Sequence, residues 1–355
     1  MLTAIEWSAI SALVTWGLGF ALQPWLAARG LIDHPNERSS HRSATVRGGG
    51  LSIVVVVGGG GLMLALGQRH GLLAIICGAA TLLGAVSFVD DWRGLHPATR
   101  FVCHMIAGAA VLLVLLWPEL RNHRPGLLGS DFLNAVSFLF LLLWVVGYTN
   151  AFNFMDGING LAGGQAAITG LGMALLGRLS TGQWSETPIL ISLVVAGAAL
   201  GFLPHNFPQA RMFLGDVGSV PMGFLLATLV VWLARDCGWQ LLIPLSLLHA
   251  NFVLDTSITI YRRFLRRERW YSPHREHFYQ RLVRAGRSHP FVTLREMALQ
   301  MVVVSLMALY VHVGAATRLG LIAVAVASWL AFFYHCELQF QKSCERQNGE
   351  PQACR

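Results

Sequence analysis

The sequence predicts an all-α, polytopic membrane protein with about eleven transmembrane helices. Of its 355 residues, 54% are hydrophobic and 12% are charged, and the mean hydropathy is +0.55. An ordinary soluble domain carries about 25% charged residues. The apolar residues form continuous blocks of roughly the 17–25 residues with which a helix crosses a bilayer. Because these blocks are continuous and do not alternate with polar residues, a membrane β-barrel is disfavoured.

The apolar blocks can be placed one after another along the chain. Their approximate bounds are residues 4–27, 48–66, 71–89, 100–117, 132–149, 158–177, 187–204, 217–234, 239–259, 297–314 and 319–335. The first block has no basic segment before it and is followed by ten others, so we expect a retained helix rather than a cleaved signal peptide. The polar segment 338–355 is expected to form a disordered tail after a membrane-embedded domain of residues 1–337.

The basic residues predict the orientation of these helices. If the N-terminus lies outside, 20 of the 26 Lys and Arg residues fall on the cytoplasmic side, and ten of them lie between Arg262 and Arg295. Cytoplasmic loops carry the excess of Lys and Arg in membrane proteins. The sequence therefore predicts an external N-terminus and a cytoplasmic C-terminus. The net charge of +8 then faces anionic lipid headgroups and cytosolic anions, and does not indicate a nucleic-acid partner.

Five unusual polar segments fall in the loops that are predicted to be cytoplasmic. They are DHPNERSSHRSATVRGGG (33–50), DDWRGL (90–95), NAFNFMDGING (150–160), PHNFPQARMFLGDVGS (204–219) and the basic segment 255–282. The predicted external loops are short and carry no comparable motif. Unrelated solvated loops would have no reason to collect on one side of the membrane. The pattern therefore predicts one composite site at the cytoplasmic surface.

Four aspartates carry the chemistry expected at this site. Asp90 and Asp91 end a predicted helix, where the helix dipole disfavours an anion, so a metal ion or Arg93 should compensate them; a solvated helix end is the alternative. Asp156 and Asp216 lie in glycine-rich turns before apolar helices, and such helix N-termini bind phosphate. Carboxylate oxygens together with a substrate phosphate suit Mg²⁺.

The fifth cytoplasmic loop supplies the opposite charge. His274, Arg275 and His277 stand in a segment that is rich in arginine. Cations and a metal ion that neutralise a diphosphate are the equipment expected for phosphoryl transfer. A zinc site built on His274 and His277 is disfavoured, because no further ligands with zinc spacing follow.

In these motifs the sequence resembles the polyprenyl-phosphate N-acetylhexosamine-1-phosphate transferase family, glycosyltransferase family 4, and within it the O-antigen-initiating branch. The resemblance covers nearly the whole chain in order. The matching segments are DHPNERSSH, RGGG, DDWRGL, NAFNFMDGINGLAGG, FLGDVGS, the DT pair at 255–256 and HREH at 274–277. The muramoyl-pentapeptide branch of the family has three consecutive histidines in the fifth loop, so HREH disfavours that substrate.

The resemblance implies a reaction and its partners. An N-acetylated sugar 1-phosphate would be transferred from a UDP-sugar to undecaprenyl phosphate, releasing UMP, at the cytoplasmic face of a bacterial inner membrane. This would be the first step of O-antigen or other cell-surface polysaccharide synthesis. Mg²⁺ is the implied cofactor, with Mn²⁺ as a substitute. The implied partners are the UDP-N-acetyl sugar, undecaprenyl phosphate and membrane lipids, with no nucleic acid, and a homodimer is left open.

The resemblance also assigns roles to residues. Asp216 would be the metal ligand, and Asp90 or Asp91 would engage or deprotonate the lipid phosphate. Asp156 would join this catalytic group and hold nucleotide and diphosphate together with nearby asparagines. The implied substrate-binding residues are Asn36, Arg38, His41, Asn150, Asn153, His274, Arg275 and His277.

Two other functions are compatible with a chain of this composition. A transporter or lipid flippase would have the same helix count, but it predicts charged residues near the bilayer midplane and broken helices in both halves. A CDP-alcohol phosphotransferase shares the acidic Mg²⁺ chemistry but has fewer helices and a different Asp/Gly spacing. UMP release that depends on undecaprenyl phosphate and Mg²⁺ would discriminate among the three.

Overall fold

The computed structural model of the protein describes residues 3–35, 43–121, 131–268 and 274–348. These residues are almost entirely helical, which confirms the predicted all-α class. The helices are α1 (Ala4–Ala28), α2 (Leu51–Gly67), α3 (Gly71–Arg93), α4 (Pro97–Arg121), α5 (Asp131–Phe154), α6 (Leu161–Thr181), α7 (Thr187–Asn206), α8 (Asp216–Cys237), α9 (Leu242–Leu247), α10 (Ala250–Leu265), α11 (Phe278–Arg284), α12 (His289–Tyr310) and α13 (Ala315–Asn348).

The chain is a multi-pass membrane protein. In the described part, eight helices are long and apolar enough to cross a bilayer, namely α1, α3, α4, α5, α7, α8, α12 and α13. A ninth span results if the segments Trp239–Leu247 and Ala250–Leu265, which meet at an angle of 66°, are counted together. The two other predicted blocks coincide with the shorter helix α2 and with α6, which is rich in Gly and Ala. Eleven crossings and the orientation of the termini stay predictions.

Helix α8 is the centre of the bundle. Its whole membrane-spanning stretch is buried, and α3, α5, α6 and α7 pack around it. A helix that is apolar on all sides is suited to such a position. The peripheral helices α1 and α13 bury only 17% and 22% of their spanning stretches, and their apolar side chains can face lipid instead.

Two glycines let α1 approach α7 closely. A Cβ atom at Gly197 would lie 2.2 Å from the carbonyl oxygen of Ser8, and one at Gly201 would lie 2.1 Å from that of Ala12. Any larger residue at either position would force the helices apart. Small residues at such contacts are characteristic of helix packing in membranes.

A small sheet brings the loop between α1 and α2 to the beginning of α8. Strand β1 (Ile32–Asp33) pairs antiparallel with β2 (Thr45–Arg47), which pairs parallel with β3 (Met212–Phe213). Beyond β2, the N–H groups of Gly49 and Gly50 donate to the carbonyl oxygens of Phe213 and Leu214 at 2.9 Å each. This pairing sets Arg47, the last residue of β2, beside the N-terminus of α8.

The last helix differs from the expected end of the chain. Helix α13 continues through Asn348 and so includes part of segment 338–355, for which the sequence predicts a disordered tail. Glu337 anchors this helix, because its carboxylate accepts hydrogen bonds from Arg262 (2.8 Å) and Arg281 (2.8 Å). Residues 349–355 lie outside the described residues, and the domain boundary at residue 337 stays a prediction.

Candidate active site

The end of α3 meets the beginning of α8 through a buried carboxylate. Asp91 accepts hydrogen bonds from the backbone N–H groups of Asp216 (3.3 Å) and Val217 (3.0 Å), and its side chain is 0% exposed. An anion at a helix N-terminus is stabilised by the helix dipole and by the free N–H groups there. The unfavourable position of Asp91 at the end of its own helix is thus offset by the beginning of another.

Two arginines link three of the aspartates. Arg47 Nη2 lies 2.7 Å from Asp91 Oδ1 and 2.9 Å from Asp216 Oδ1. Arg100 Nη1 lies 2.9 Å from Asp90 Oδ2 and 3.2 Å from Asp216 Oδ2. Both carboxylate oxygens of Asp216 therefore contact a guanidinium nitrogen. From the sequence, Arg47 lies in a segment of the predicted site, but neither arginine was predicted to have a role there.

The sequence offers a metal ion or Arg93 as the compensating cation for Asp90 and Asp91, and the structure places two other arginines there. Arg93 follows the Asp90–Asp91 pair directly, but its guanidinium lies 5.0 Å from the ring centroid of Trp92. Arg47 and Arg100 neutralise the pair instead. Burial acts to lower the pKa of Arg47, but the carboxylates of Asp91 and Asp216 outweigh it and raise that pKa. The guanidinium of Arg47 is therefore a permanent positive charge.

Asp156 is the fourth carboxyl group of the cluster. It lies in the turn between α5 and α6, and it accepts a hydrogen bond from the backbone of Gly215. Burial raises the pKa of Asp156 well above its usual range, and the nearby carboxylates of Asp216 and Asp91 raise it further. A raised pKa favours the neutral, protonated form of a carboxyl group, and a cation bound beside it would oppose this effect.

The two predicted asparagines lie at the end of α5 beside this turn. Asn153 Nδ2 donates to Ser219 Oγ at 2.8 Å, which joins the end of α5 to the first turn of α8. Asn150 Nδ2 donates to the carbonyl oxygen of Val146 in its own helix at 2.7 Å. The structure thus brings the NAFNFMDGING segment against the aspartate cluster.

The fifth loop is fixed by Asp255, for which the sequence predicted no role of its own. Asp255 Oδ1 lies 2.8 Å from His277 Nδ1, and Asp255 Oδ2 accepts from the N–H of Phe278 at 2.9 Å. All of these groups are buried, so the imidazole of His277 is held in one orientation. The ring of His274 lies 4.9 Å from that of His277, centroid to centroid. Burial, followed by the effect of His277, lowers the pKa of His274 to about 4, which leaves a neutral imidazole.

Glu276 and Arg275 complete the predicted loop motif. The carboxylate of Glu276 pairs with Arg263 and with Arg266, the latter at 3.1 Å. Glu276 therefore ties the loop to the end of α10. The carbonyl oxygen of Arg275 accepts from Arg284 Nη1 at 3.3 Å.

The loop rests on the turn that carries Asp156. Tyr279 Oη donates to the carbonyl oxygen of Phe154 at 3.1 Å, and the same hydroxyl lies against Gly157. The rings of Phe154 and His277 are stacked with centroids 6.4 Å apart. The structure thus brings together segments 45–50, 90–100, 150–160, 213–219 and 274–279. Asn36, Arg38 and His41 lie outside the described residues.

The oxygen donors suit a divalent ion, although arginines hold them in this arrangement. Among the described residues, no three or more His, Cys, Asp or Glu side chains are grouped as metal ligands. The carboxylates of Asp90, Asp91 and Asp216 are nevertheless the hard donors that Mg²⁺ prefers. Guanidinium nitrogens stand between them. An ion at Asp216 therefore requires that Arg47 or Arg100 give up its contact with that carboxylate.

Comparison with known proteins gives consistent matches across this region. The sequence profile of glycosyl transferase family 4 matches residues 73–234, which include all four aspartates. A decaprenyl-phosphate N-acetylglucosaminephosphotransferase of Mycobacterium tuberculosis (strain CDC 1551 / Oshkosh) is 34% identical over 319 residues, covering 80% of this chain and 76% of the relative. A probable undecaprenyl-phosphate N-acetylglucosaminyl 1-phosphate transferase of Bacillus subtilis (strain 168) is 30% identical over 263 residues, with 73% and 72% covered. A phospho-N-acetylmuramoyl-pentapeptide-transferase of Streptococcus mutans is 32% identical over 208 residues, with 54% and 56% covered.

Proposed function

The chain belongs to glycosyl transferase family 4, and we propose that it transfers an N-acetylated sugar 1-phosphate from a UDP-sugar to undecaprenyl phosphate. The reaction releases UMP at the cytoplasmic face of a bacterial inner membrane and initiates an O-antigen or another cell-surface polysaccharide. The observation that carries this proposal is the cluster of four aspartates and two arginines at the ends of membrane helices. The activities by which the relatives from Mycobacterium tuberculosis and Bacillus subtilis are named support it.

An apolar groove beside the cluster fits the polyprenyl chain of the acceptor. The groove encloses about 420 Å³ between α5 and α10, and its lining includes Phe140, Leu143, Trp144, Tyr148, Ala151 and Ile260. It reaches Ala151, two residues before Asn153. An isoprenoid chain matches such a surface, since apolar pockets bind apolar ligands. Its phosphate end would then lie near the aspartates.

In the proposed reaction, an oxygen of undecaprenyl phosphate forms a bond to the β-phosphorus of the UDP-sugar. The bond between that phosphorus and the bridging oxygen breaks, and UMP leaves. Asp90 and Asp91 have different roles in this proposal. Asp91 is fully buried and holds the N-terminus of α8, whereas the side chain of Asp90 retains 7% exposure and would accept the proton of the lipid phosphate.

The positive groups would act on the diphosphate. Asp216 and Asp91 would hold Mg²⁺ or Mn²⁺, which supplies neutralisation of diphosphate charge when it is bound. Arg47 and Arg100, once released from Asp216, would donate to phosphate oxygens, for which a planar guanidinium has suitable geometry. The neutral His274 would donate to the diphosphate or to a sugar hydroxyl, and His277, whose Nδ1 donates to Asp255, would accept from a sugar hydroxyl through its other ring nitrogen when it is neutral.

Release of UMP tests the proposed function directly. Purified protein in lipid nanodiscs should release UMP from a UDP-N-acetyl sugar only when undecaprenyl phosphate and Mg²⁺ are both present. Release without the lipid acceptor would indicate simple hydrolysis and contradict the proposal. Transport of a labelled lipid with no UMP release would favour a flippase, although the described residues contain only one broken span rather than one in each half.

Glu276 provides a test of donor selection by the fifth loop. The substitution Glu276→Gln removes the charge that pairs with Arg263 and Arg266 and should change the orientation of His274 and His277. We expect the ratio of kcat/KM between UDP-N-acetylglucosamine and a UDP-N-acetylated 6-deoxyhexose to change about tenfold, with Mg²⁺ dependence retained. Competition assays measure the ratio. An equal loss for all donors would mean that the loop only neutralises charge.

A further inference from the structure

A second polar network lies inside the helix bundle, at the break between α9 and α10. The backbone carbonyl oxygen of Leu248 accepts three hydrogen bonds there, from Gln165 Nε2 (3.0 Å), Thr169 Oγ1 (3.2 Å) and Gln300 Nε2 (2.6 Å). A break in a membrane helix leaves carbonyl groups without helical partners, and neighbouring side chains must supply the donors. These three side chains therefore have a structural explanation.

The carbonyl of Leu248 also fixes the direction of the other hydrogen bonds. Because a carbonyl oxygen only accepts, Gln165 and Gln300 must both turn their NH₂ groups toward it. The oxygen of Gln165 then accepts from Asn251 Nδ2 at 2.8 Å. Asn251 consequently presents its own oxygen atom away from Gln165. The orientation of every amide in the network thus follows from one backbone group.

Glu296 is the residue of this network whose carboxyl group is not fully hydrogen-bonded by the contacts described above. It lies one helical turn before Gln300 on α12, it is 1% exposed, and the side chain of Asn251 is its polar neighbour. Asn251 can donate one hydrogen bond to the carboxyl group of Glu296, and within the described part of the chain no other donor reaches either of its oxygens. Asn251 Oδ1 and Gln300 Oε1 also lack one, and both residues are 0% exposed. At least three of these four buried acceptor oxygens therefore lack a donor, which is costly, since buried polar groups are normally paired.

We propose that Glu296, Asn251 and Gln300 bind one monovalent cation, Na⁺ or K⁺, inside the bundle. All of the unpaired atoms are hard oxygens, and the single carboxylate matches a single positive charge. A proton on Glu296 would supply one hydrogen bond and leave the other acceptors unsatisfied, whereas a cation can contact several oxygens at once. Side-chain and backbone oxygens at broken membrane helices are known to coordinate such ions.

The cation would influence the fifth loop through α10. Asn251 lies one turn before Asp255, which holds His277 and the beginning of α11. Glu296 also lies in the field of Asp255, so two buried carboxyl groups approach each other in this region. A cation at Glu296 reduces their repulsion and should therefore stabilise the α10 segment.

Thermal unfolding in defined salts tests this proposal without reference to transferase activity. Purified protein in nanodiscs is held at constant ionic strength while N-methyl-D-glucamine chloride is replaced by NaCl or by KCl. We expect one of the two ions to raise Tm saturably by about 2–4 °C. The variant Glu296→Gln should lose this response, whereas Glu345→Gln, which removes an exposed carboxylate of α13, should keep it. A Tm that responds to pH but to neither ion would mean that Glu296 carries a proton, and would overturn the proposal.

A binding measurement keeps the proposal open to refutation if Glu296→Gln does not fold. Wild-type protein is equilibrated with radioactive sodium, or with radioactive rubidium in place of potassium, and the bound ion is counted. We expect about one ion per chain, displaced by excess of the same unlabelled ion. No saturable binding of either ion would overturn the proposal and would leave the proposed transferase function untouched.

Discussion

Replacement of Asp216 by asparagine should reduce sugar-phosphate transfer by about 10³-fold or more, which corresponds to about 4 kcal/mol of activation free energy. Asp216 stands at the first position of α8, and its two oxygens contact Arg47 and Arg100. Asparagine has nearly the same shape but no charge, so it would be a weak ligand for Mg²⁺. Asp91 would still cap α8 through the backbone N–H groups, and the protein should stay folded.

The matched control is Asp236→Asn. Asp236 lies near the other end of the same helix, where it pairs with Arg235 at 3.7 Å and accepts from Trp232. UMP release and the thermal unfolding midpoint should be measured for both variants. Wild-type behaviour of the control together with inactive, folded Asp216→Asn supports the assignment. Activity of Asp216→Asn within about tenfold of wild type, or about 1.4 kcal/mol, would remove Asp216 from the metal site.

The helical segments and the aspartates could be predicted from local patterns alone. Each apolar block of the sequence except 239–259 coincides with one helix, because the length and polarity of a block are local properties. The motif residues Asp90, Asp91, Asp156 and Asp216 were identified for the same reason. Each aspartate lies in an unusual polar segment next to an apolar block. The predicted topology places all of these segments at the same membrane face.

The partners of these aspartates could not be predicted, because they depend on contacts between distant segments. Arg100 and Asp216 are 116 positions apart, and Arg47 and Asp216 are 169 apart. In the sequence both arginines are equally well explained by the excess of positive charge in cytoplasmic loops. Arg93, the nearer candidate, stacks on Trp92 instead. Asp255 was visible only as part of a short motif, and its contact with His277 depends on the return of the fifth loop.

The number of membrane crossings could not be predicted from the sequence for a similar reason. Residues 239–259 form one apolar block, but the structure divides this region at Leu248 with a bend of 66°. His249 and Asn251 lie beside the break, but their types alone do not distinguish a broken helix from a continuous one. Its signal is distant, in the amides of Gln165 and Gln300 that donate to the freed carbonyl group. Polar residues within apolar blocks therefore identify an interrupted span only when the packing of the helices is known.

The exchange of Arg47 for a metal ion leads to the second large expected effect. Arg47→Met should reduce transfer by about 10²–10³-fold, because a buried Asp91 loses its cation and the diphosphate loses a donor. The same substitution should tighten the binding of Mn²⁺ to the substrate-free protein by about tenfold, or about 1.4 kcal/mol. The reason is that the ion would no longer have to displace a guanidinium from Asp91 and Asp216.

Electron paramagnetic resonance of free Mn²⁺ measures this binding separately from activity, with Arg93→Met as the control. Arg93 lies next to the same aspartates in the sequence but stacks on Trp92, so its loss should change neither affinity nor transfer more than about twofold. Arg47→Lys should give an intermediate result, since an ammonium group keeps the charge but cannot bridge two carboxylates with planar geometry. If Arg47→Met instead weakens Mn²⁺ binding, the arginine holds the carboxylates in position for the metal and does not compete with it. In that case the contacts of Arg47 with Asp91 and Asp216 persist through the reaction, and Arg100 is left as the cation that moves to the diphosphate.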